Sequence, residues 1–279
     1  MCEGLTWTPA GLATLSGPLA LLHERLDALF RRVAARFAAE EHHIPPLIDA
    51  ASLARIDWFG SFPHLASFVT ALDPEPENIA AFCRQRSLIE GAVLPTRTVP
   101  VRHILLPAAC YALYAAHQGR QLDRTLFLTT RGLCHRRETH YEPLRRQWSF
   151  GMREIVCLGE AEDMARFITA ADETLLALAA SLGLEARLQP ASDPFFGEAQ
   201  GKRLMQQIDP VKYELVVGDL AIASVNRHRT LFGRAFDITC KTRPASSACL
   251  AFGLERWIAV ILDRFGADPA HWPALEALS

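Results

Sequence analysis

No stretch of this sequence is apolar for long enough to cross a bilayer. The longest apolar runs, such as Trp257 to Leu262, fall far short of the ~20 residues a membrane span requires. The N-terminus, Met-Cys-Glu-Gly-Leu-Thr-Trp, lacks both the basic and the apolar region of an export signal. These absences predict a cytoplasmic protein with no membrane partner. An excess of either charge is missing too: 29 Lys and Arg against 31 Asp and Glu leave a net charge of −2, with an isoelectric point near 6.6. A chain so balanced exerts no general pull on nucleic acid or anionic lipid. Internal repeats and low-complexity tracts are absent, and no Cys-x-x-Cys pair occurs among the 7 cysteines. An odd number without framework spacing or export signal reads as free thiols or metal ligands rather than disulfides. Any metal site must therefore be assembled from distant segments.

What is present suffices for a full core, as one large domain or two small ones: 279 residues, 50% hydrophobic and 22% charged. After a lead segment, 1–16, Ser16 and Pro18 signal a helix start. Leu22, Leu26, Leu29, Phe30, Val33 and Phe37 then recur at helical spacing, with Arg25, Arg31, Arg32 and Arg36 on other faces. The helix must stop before Pro45-Pro46, because a residue ahead of proline avoids the helical region. His42 and His43 there invite a metal reading, but neighbours on an extended segment point to opposite sides. Ile56 to Pro63 reads as an extended or turn segment, and 73–78 as an acidic loop opening a helix through Cys83. Val93 to Ile104 reads as an edge strand. A helix begins at Pro107 and places Cys110 in its first turn, where the helix dipole favours a thiolate; the alternative for Cys110 is a small buried hydrophobe. Gly159 and the acids after it open a long helix that Gly183 closes, and Asp193 to Gly197 reads as a turn. Gly218-Asp219 joins strands 211–217 and 220–226 as a hairpin, a further strand is expected over Ala235 to Cys240, and the last segment passes through Gly253 into an apolar helix carrying Arg256 in its first turn. Antiparallel strands flanked by helices, rather than alternating βαβ units, predict an α+β fold with a central antiparallel sheet.

The stretch from His135 to Gly159 organises the rest. It reads as a strand ending in Arg136-Arg137-Glu138, a polar loop at Tyr141-Glu142-Pro143, and a second strand through Trp148, Phe150, Met152 and Ile155. An arginine and a glutamate on one arm with an aromatic on the other can hold a nucleotide. The guanidinium forks onto phosphate, the carboxylate accepts from an exocyclic amine, and the ring stacks on a base. The alternative is a surface hairpin with solvated charges.

Four segments in order carry a resemblance: Leu-Pro-Ala-Ala-Cys-Tyr at 106–111, Cys-His-Arg-Arg-Glu at 134–138, Phe-Gly-Met-Arg-Glu-Ile-Val at 150–156, and Ser-Ala-Cys-Leu-Ala-Phe-Gly-Leu-Glu-Arg at 247–256. With the long first helix, they resemble the three motifs of class II aminoacyl-tRNA synthetase catalytic domains. The wording is most similar to the seryl-tRNA-synthetase-like amino acid:carrier protein ligases, over about residues 20 to 265. The resemblance implies one catalytic domain over 1–279. It implies that Arg136 grips the α-phosphate of ATP, Glu138 faces the adenine amine, Phe150 stacks on the ring, and Arg256 meets the γ-phosphate or the other adenine face. Mg²⁺ would accompany ATP, with Glu214 the nearest carboxylate candidate. Zn²⁺ would sit on Cys110, Glu154 and Cys249, leaving one tetrahedral position for an α-amine. Ser224 and Asn226 would line the amino-acid pocket, though an asparagine satisfied by backbone is an equal reading.

The implied reaction joins glycine or alanine to ATP as an aminoacyl adenylate, then passes it to the phosphopantetheine thiol of a carrier protein. The first-motif helix would form a homodimer interface. Three departures stand out: His135 replaces an aromatic, Ala251 replaces a glycine, and no carboxylate occurs over Ala221 to Ala223, which leaves the number of Mg²⁺ ions open. With no room for a tRNA-binding arm or anticodon module, tRNA is not the expected acceptor. Arg84, Arg86, Arg227, Arg229 and Arg234 are candidates for carrier docking or simply solvated surface. Two competing readings remain: a synthetase-like binding or regulatory subunit that turns nothing over, and a zinc hydrolase, which would act without ATP but shows no evident general base beside the three ligands.

Overall fold

The computed structural model describes residues 3–85, 88–196 and 211–277. Its centre is a seven-stranded sheet. In chain order the strands are β1 (Glu40–His43), β2 (Leu126–His135), β3 (Ser149–Gly159), β4 (Ala186–Pro190), β5 (Lys212–Val217), β6 (Leu220–Arg229) and β7 (Ser246–Gly253), and across the sheet they run β4-β5-β6-β7-β3-β2-β1. Six of them pair antiparallel, as expected. β1 departs from that expectation by adding to β2 in parallel. It is reached from a helix rather than through a hairpin, so no turn forces the chain to reverse.

Five helices cover the sheet: α1 (Gly17–Arg36), α2 (Ala109–Ala116), α3 (Ala161–Ser181), α4 (Leu231–Ala235) and α5 (Leu254–Phe265). Side chains alternate across each strand, so the two faces build separate cores. Ile155 and Cys157 of β3, with Ala248, Leu250 and Phe252 of β7, meet the apolar faces of α1, α3 and α5. Val156, Leu158 and Cys249 point the other way, toward α2 and α4. Burial on both faces is why β3 and β7 read as nearly continuous apolar runs. A third small core, around Leu53, Trp58 and Ile104, sits under the segment between α1 and α2.

The apolar stripe of α1 is taken up inside the chain: Leu22, Leu26, Leu29, Phe30 and Val33 are all buried. That stripe is thus not available to a second copy, and on the other side of this helix Leu21 is exposed. One polar residue of the stripe, Asp27, is buried against Arg153 of β3, which donates to it from Nε at 2.9 Å and Nη2 at 3.0 Å. The Nη1 of Arg153 reaches both oxygens of Glu41, at 2.7 and 2.8 Å. This bidentate pairing ties α1 and β1 to the middle of the sheet.

Of the two readings of Ile56 to Pro63, extended or turn, the structure has the turn: a helical turn, Trp58–Ser61, followed by a 3₁₀ turn at Pro63–Leu65, with Trp58 buried in the third core. Two local expectations fail, each for a physical reason. Val93 to Ile104 is no edge strand. Pro95 and Pro100 interrupt it, leaving Ala92–Val93 and His103–Leu105, the latter in the middle of a small three-stranded sheet. Over Ala235 to Cys240 the strand is confined to Thr239–Cys240, because Phe232 and Phe236, one helical turn apart, are drawn into the core beside α4. Of the turn at Asp193 to Gly197, the Phe195 amide donates to the Asp193 carbonyl, while Gly197 lies outside the described residues, as does Arg86. Among the described residues no helix is long and apolar enough to cross a membrane.

Candidate active site

All ten site residues expected from the sequence, Cys110, Arg136, Glu138, Phe150, Glu154, Glu214, Ser224, Asn226, Cys249 and Arg256, line one cavity of about 700 Å³. It lies on the α2 side of the sheet, over β3, β7 and β6, and its two ends differ in chemistry.

The first end is built from Cys110, Glu154 and Cys249, whose ligand atoms lie within 4.8 Å of one another and are buried. Strand register explains the meeting. Cys249 of β7 stands opposite Val156 of β3, and Glu154 is two residues along β3 on the same face. Cys110 comes from α2, which seats closely on β2 because Gly132 has no side chain. A Cβ there would lie 2.9 Å from the Ala109 Cβ and 3.0 Å from Ile44 Cδ1. The free N–H of Ala109, at the start of α2, donates to Glu154 Oε1 at 2.8 Å.

Three acids crowded out of water hold together by sharing protons. Burial, with the neighbouring Cys249, pushes Glu154 up to about 7. The Cys110 thiol, hydrogen-bonded to Cys249 and buried beside Glu154, is raised well above its usual range. Cys249 is held well below that range by the bond from Cys110, acting against burial, with help from His228 and Asn226. Two thiols and a carboxylate in contact form a donor set suited to a tetrahedral zinc ion, and binding a cation there releases the shared protons.

The second end is cationic. Arg136 follows β2, donates from Nε to the Pro107 carbonyl at 3.0 Å, and sets its guanidinium over the Phe150 ring, 5.3 Å from the centroid. Glu138 accepts from Arg146 Nη1 at 2.9 Å. Arg256, in the first turn of α5, donates to the Arg145 carbonyl from Nε and to the Ala221 carbonyl from Nη1, both at 2.9 Å. Burial lowers the basicity of Arg256, and the charges of Arg136 and Arg146 lower it further. Three guanidiniums on one cavity wall beside a helix start, partly offset by Glu138 and Glu214, are groups that could receive an anion. Glu214 does not stand free for a metal ion: Lys212 Nζ lies 3.2 Å from it and 3.2 Å from Asp193.

Several residues here were missed from sequence. Arg146 and Lys212, the partners of Glu138 and Glu214, sit in no recognisable pattern. His228 lines the cavity beside Cys249, and Tyr114 stands behind it, its hydroxyl 3.2 Å from His228 Nδ1. The signal for His228 existed: Ser224, Asn226 and His228 fall at period two on one strand. Glu255 is a buried carboxylate on the cavity wall that accepts the Gly151 N–H with both oxygens at 2.9 Å, and burial pushes it up to about 7.

No protein-family model matches the chain. Among solved structures it resembles M. kandleri SerRS in complex with A. aeolicus tRNASec, with a TM-score of 0.84 and 24% identity over 97% of this chain and 57% of the other. At that identity the likeness shows the fold, a class II seryl-tRNA synthetase catalytic domain. The type-2 serine–tRNA ligase of Methanococcus maripaludis is 26% identical over 93% of this chain and 54% of its own length, so the chain spans about half of that relative. Amino acid–acyl-carrier-protein ligases 1 and 2 of Bradyrhizobium diazoefficiens are nearer, 33% and 34% identical over 88% of this chain and 81% and 79% of their own. A likeness of that extent, on the synthetase fold just described, shows that the chain is a ligase of the amino acid–acyl-carrier-protein ligase family.

Proposed function

We propose that this protein activates a small amino acid, glycine or alanine, with ATP and passes it to the phosphopantetheine thiol of a carrier protein. The observation that carries this reading is the single cavity in which a Cys-Glu-Cys donor set faces an arginine cradle. One end suits a free α-amine and the other a triphosphate, so an amino acid anchored at the first presents its carboxylate to the second. That carboxylate attacks the α-phosphorus, the bond to pyrophosphate breaks, and an aminoacyl adenylate remains. The carrier thiol then attacks the carbonyl, and AMP leaves.

The chain's own residues supply positioning and charge. Arg136 holds the α-phosphate and neutralises charge that builds there, and Arg256 does the same for the outer phosphates. Glu138 accepts from the adenine amine, and Phe150 offers its face to the base. Each must exchange a partner, since Glu138 is paired with Arg146 and Phe150 with Arg136 before ATP arrives. Cys110, Glu154 and Cys249 would hold zinc, which when bound supplies an open position for the α-amine. Glu214 is the carboxylate that would hold Mg²⁺ brought with ATP, once released from Lys212. Ser224 and Asn226 border the amino acid. We extend the reading to a single catalytic domain, cytoplasmic and homodimeric, with no tRNA acceptor; the balanced charge gives no general attraction for nucleic acid.

Amino-acid-dependent exchange of pyrophosphate into ATP, run over all small amino acids and followed by mass measurement of a co-incubated carrier protein, tests this reading. Exchange with glycine or alanine and a matching mass gain on the carrier are expected. No exchange with any small amino acid would replace it with the binding-subunit reading.

A further inference from the structure

Side-chain donors at the metal end converge on one of its two sulfurs. Cys249 Sγ lies 3.4 Å from the donating Asn226 Nδ2 and 3.8 Å from His228 Nε2. His228 is not a member of the set of mutually close ligand atoms, so it touches Cys249 from outside that set. Its place is built. The pairing of β6 with β7 shifts between Arg227 and Arg229, which leaves His228 the extra residue of a bulge, and Arg229 takes φ +53° there. Bulges beside active sites re-aim a side chain. The ring is then fixed on several sides. The Tyr114 hydroxyl lies 3.2 Å and the Ser247 hydroxyl 3.5 Å from Nδ1, and the Phe232 ring meets it edge-on at 4.7 Å. Phe232 is itself stacked on Tyr114 at 4.0 Å. A hydroxyl donating to Nδ1 selects the tautomer whose Nε2 carries the hydrogen, and that hydrogen faces sulfur.

We propose that His228 is a positioning residue for the metal-binding sulfur: its Nε2–H donates to Cys249 Sγ, and the Tyr114 hydroxyl sets the tautomer that allows it. The inference rests on the metal reading given above and adds a residue that acts through Cys249 rather than on substrate. Asn226 shares the task, because its amide nitrogen donates to Ser224 Oγ at 3.1 Å as well as to the sulfur. With Asn226 and His228 holding it as well as Cys110, the sulfur has one orientation before the metal arrives, whereas a released one must be ordered by the metal itself. Groups of this kind behind a ligand typically govern affinity ~10–100-fold.

The test uses the full-length protein with His228→Leu, His228→Gln and Tyr114→Phe, zinc affinity read by competition with a chromophoric chelator, and the sulfur-to-metal absorption band of the cobalt-substituted protein. His228→Leu should weaken zinc binding ~10–100-fold, shift the cobalt band, and raise KM for the amino acid while KM for ATP holds. His228→Gln keeps an N–H donor and should recover most of the affinity, a rescue that a purely space-filling histidine would not show. Tyr114→Phe should move the same readouts in the same direction by less, and carries the test if the leucine variant does not fold. Zinc held equally tightly by wild type, His228→Leu and Tyr114→Phe overturns this inference alone. A wild-type protein that takes up no zinc overturns the metal reading and this inference with it.

Discussion

The two ends of the cavity are made differently. At the Cys-Glu-Cys end, proposed above to hold a metal, the side chains come from the middles of strands and the start of a helix, and Cys110, Glu154 and Cys249 are 4%, 2% and 2% exposed. At the arginine-rich end, proposed to take the nucleotide, the groups stand at strand ends, in the connecting loop and on α5, and the Glu138 and Arg146 side chains retain 25% and 40% exposure. A closed, rigid end suits a part that stays in place, and an open end of exchangeable ion pairs suits reactants that come and go. The contrast teaches that precision and turnover are assigned to separate kinds of backbone within one pocket.

That division can be broken from either side. Cys249→Ala has the largest expected effect: zinc content of the purified protein falls to background and amino-acid selection is lost, while ATP binding by calorimetry largely survives. Loss of both together would show that the ends are not independent. Arg153→Met strikes the strand beneath both. It leaves Asp27 and Glu41 without their buried partner and should cost about 3–5 kcal/mol in denaturant unfolding, lowering zinc uptake and ATP binding alike. Arg256→Ala should reduce pyrophosphate exchange ~10²–10³-fold with zinc content unchanged.

The smallest effect concerns pH. Glu255 titrates at about 7 in the fold, above the ordinary carboxyl value of 4.5, so the folded state holds its proton more tightly than the unfolded chain does. Its contribution to stability is full below about pH 4.5 and is lost as pH rises through 7. Glu255→Gln, which cannot ionise, should therefore gain on wild type by about 2 kcal/mol between pH 5 and pH 8. Unfolding curves at the two pH values check it, and a constant difference would show that Glu255 does not titrate in this window.

How much of this was legible in the sequence follows the same division. The nucleotide end lies mostly in one short run, His135 to Gly159, where period-two alternation and turn residues show the arms directly. The metal end was reached through resemblance. Cys110, Glu154 and Cys249 are far apart in the chain, and only strand register and the seat that Gly132 leaves for α2 bring them together. His228 shares the period-two run of Ser224 and Asn226, but its aim at Cys249 is set by a bulge, which no local pattern announces. Expectations failed where packing overruled local preference, at Phe232 with Phe236, and where Pro95 and Pro100 broke an otherwise β-branched run.

Adjacent residues of β3 bear opposite charge and look in opposite directions, Arg153 toward Asp27 and Glu41, Glu154 toward the cysteines. A slip of the strand by a single position would exchange them. Glutamate would then confront buried Asp27 and half-buried Glu41, and a guanidinium would be thrust among the thiols. Mispairing thus carries its own electrostatic veto, so the residues that make the pocket work also guard the alignment by which it forms.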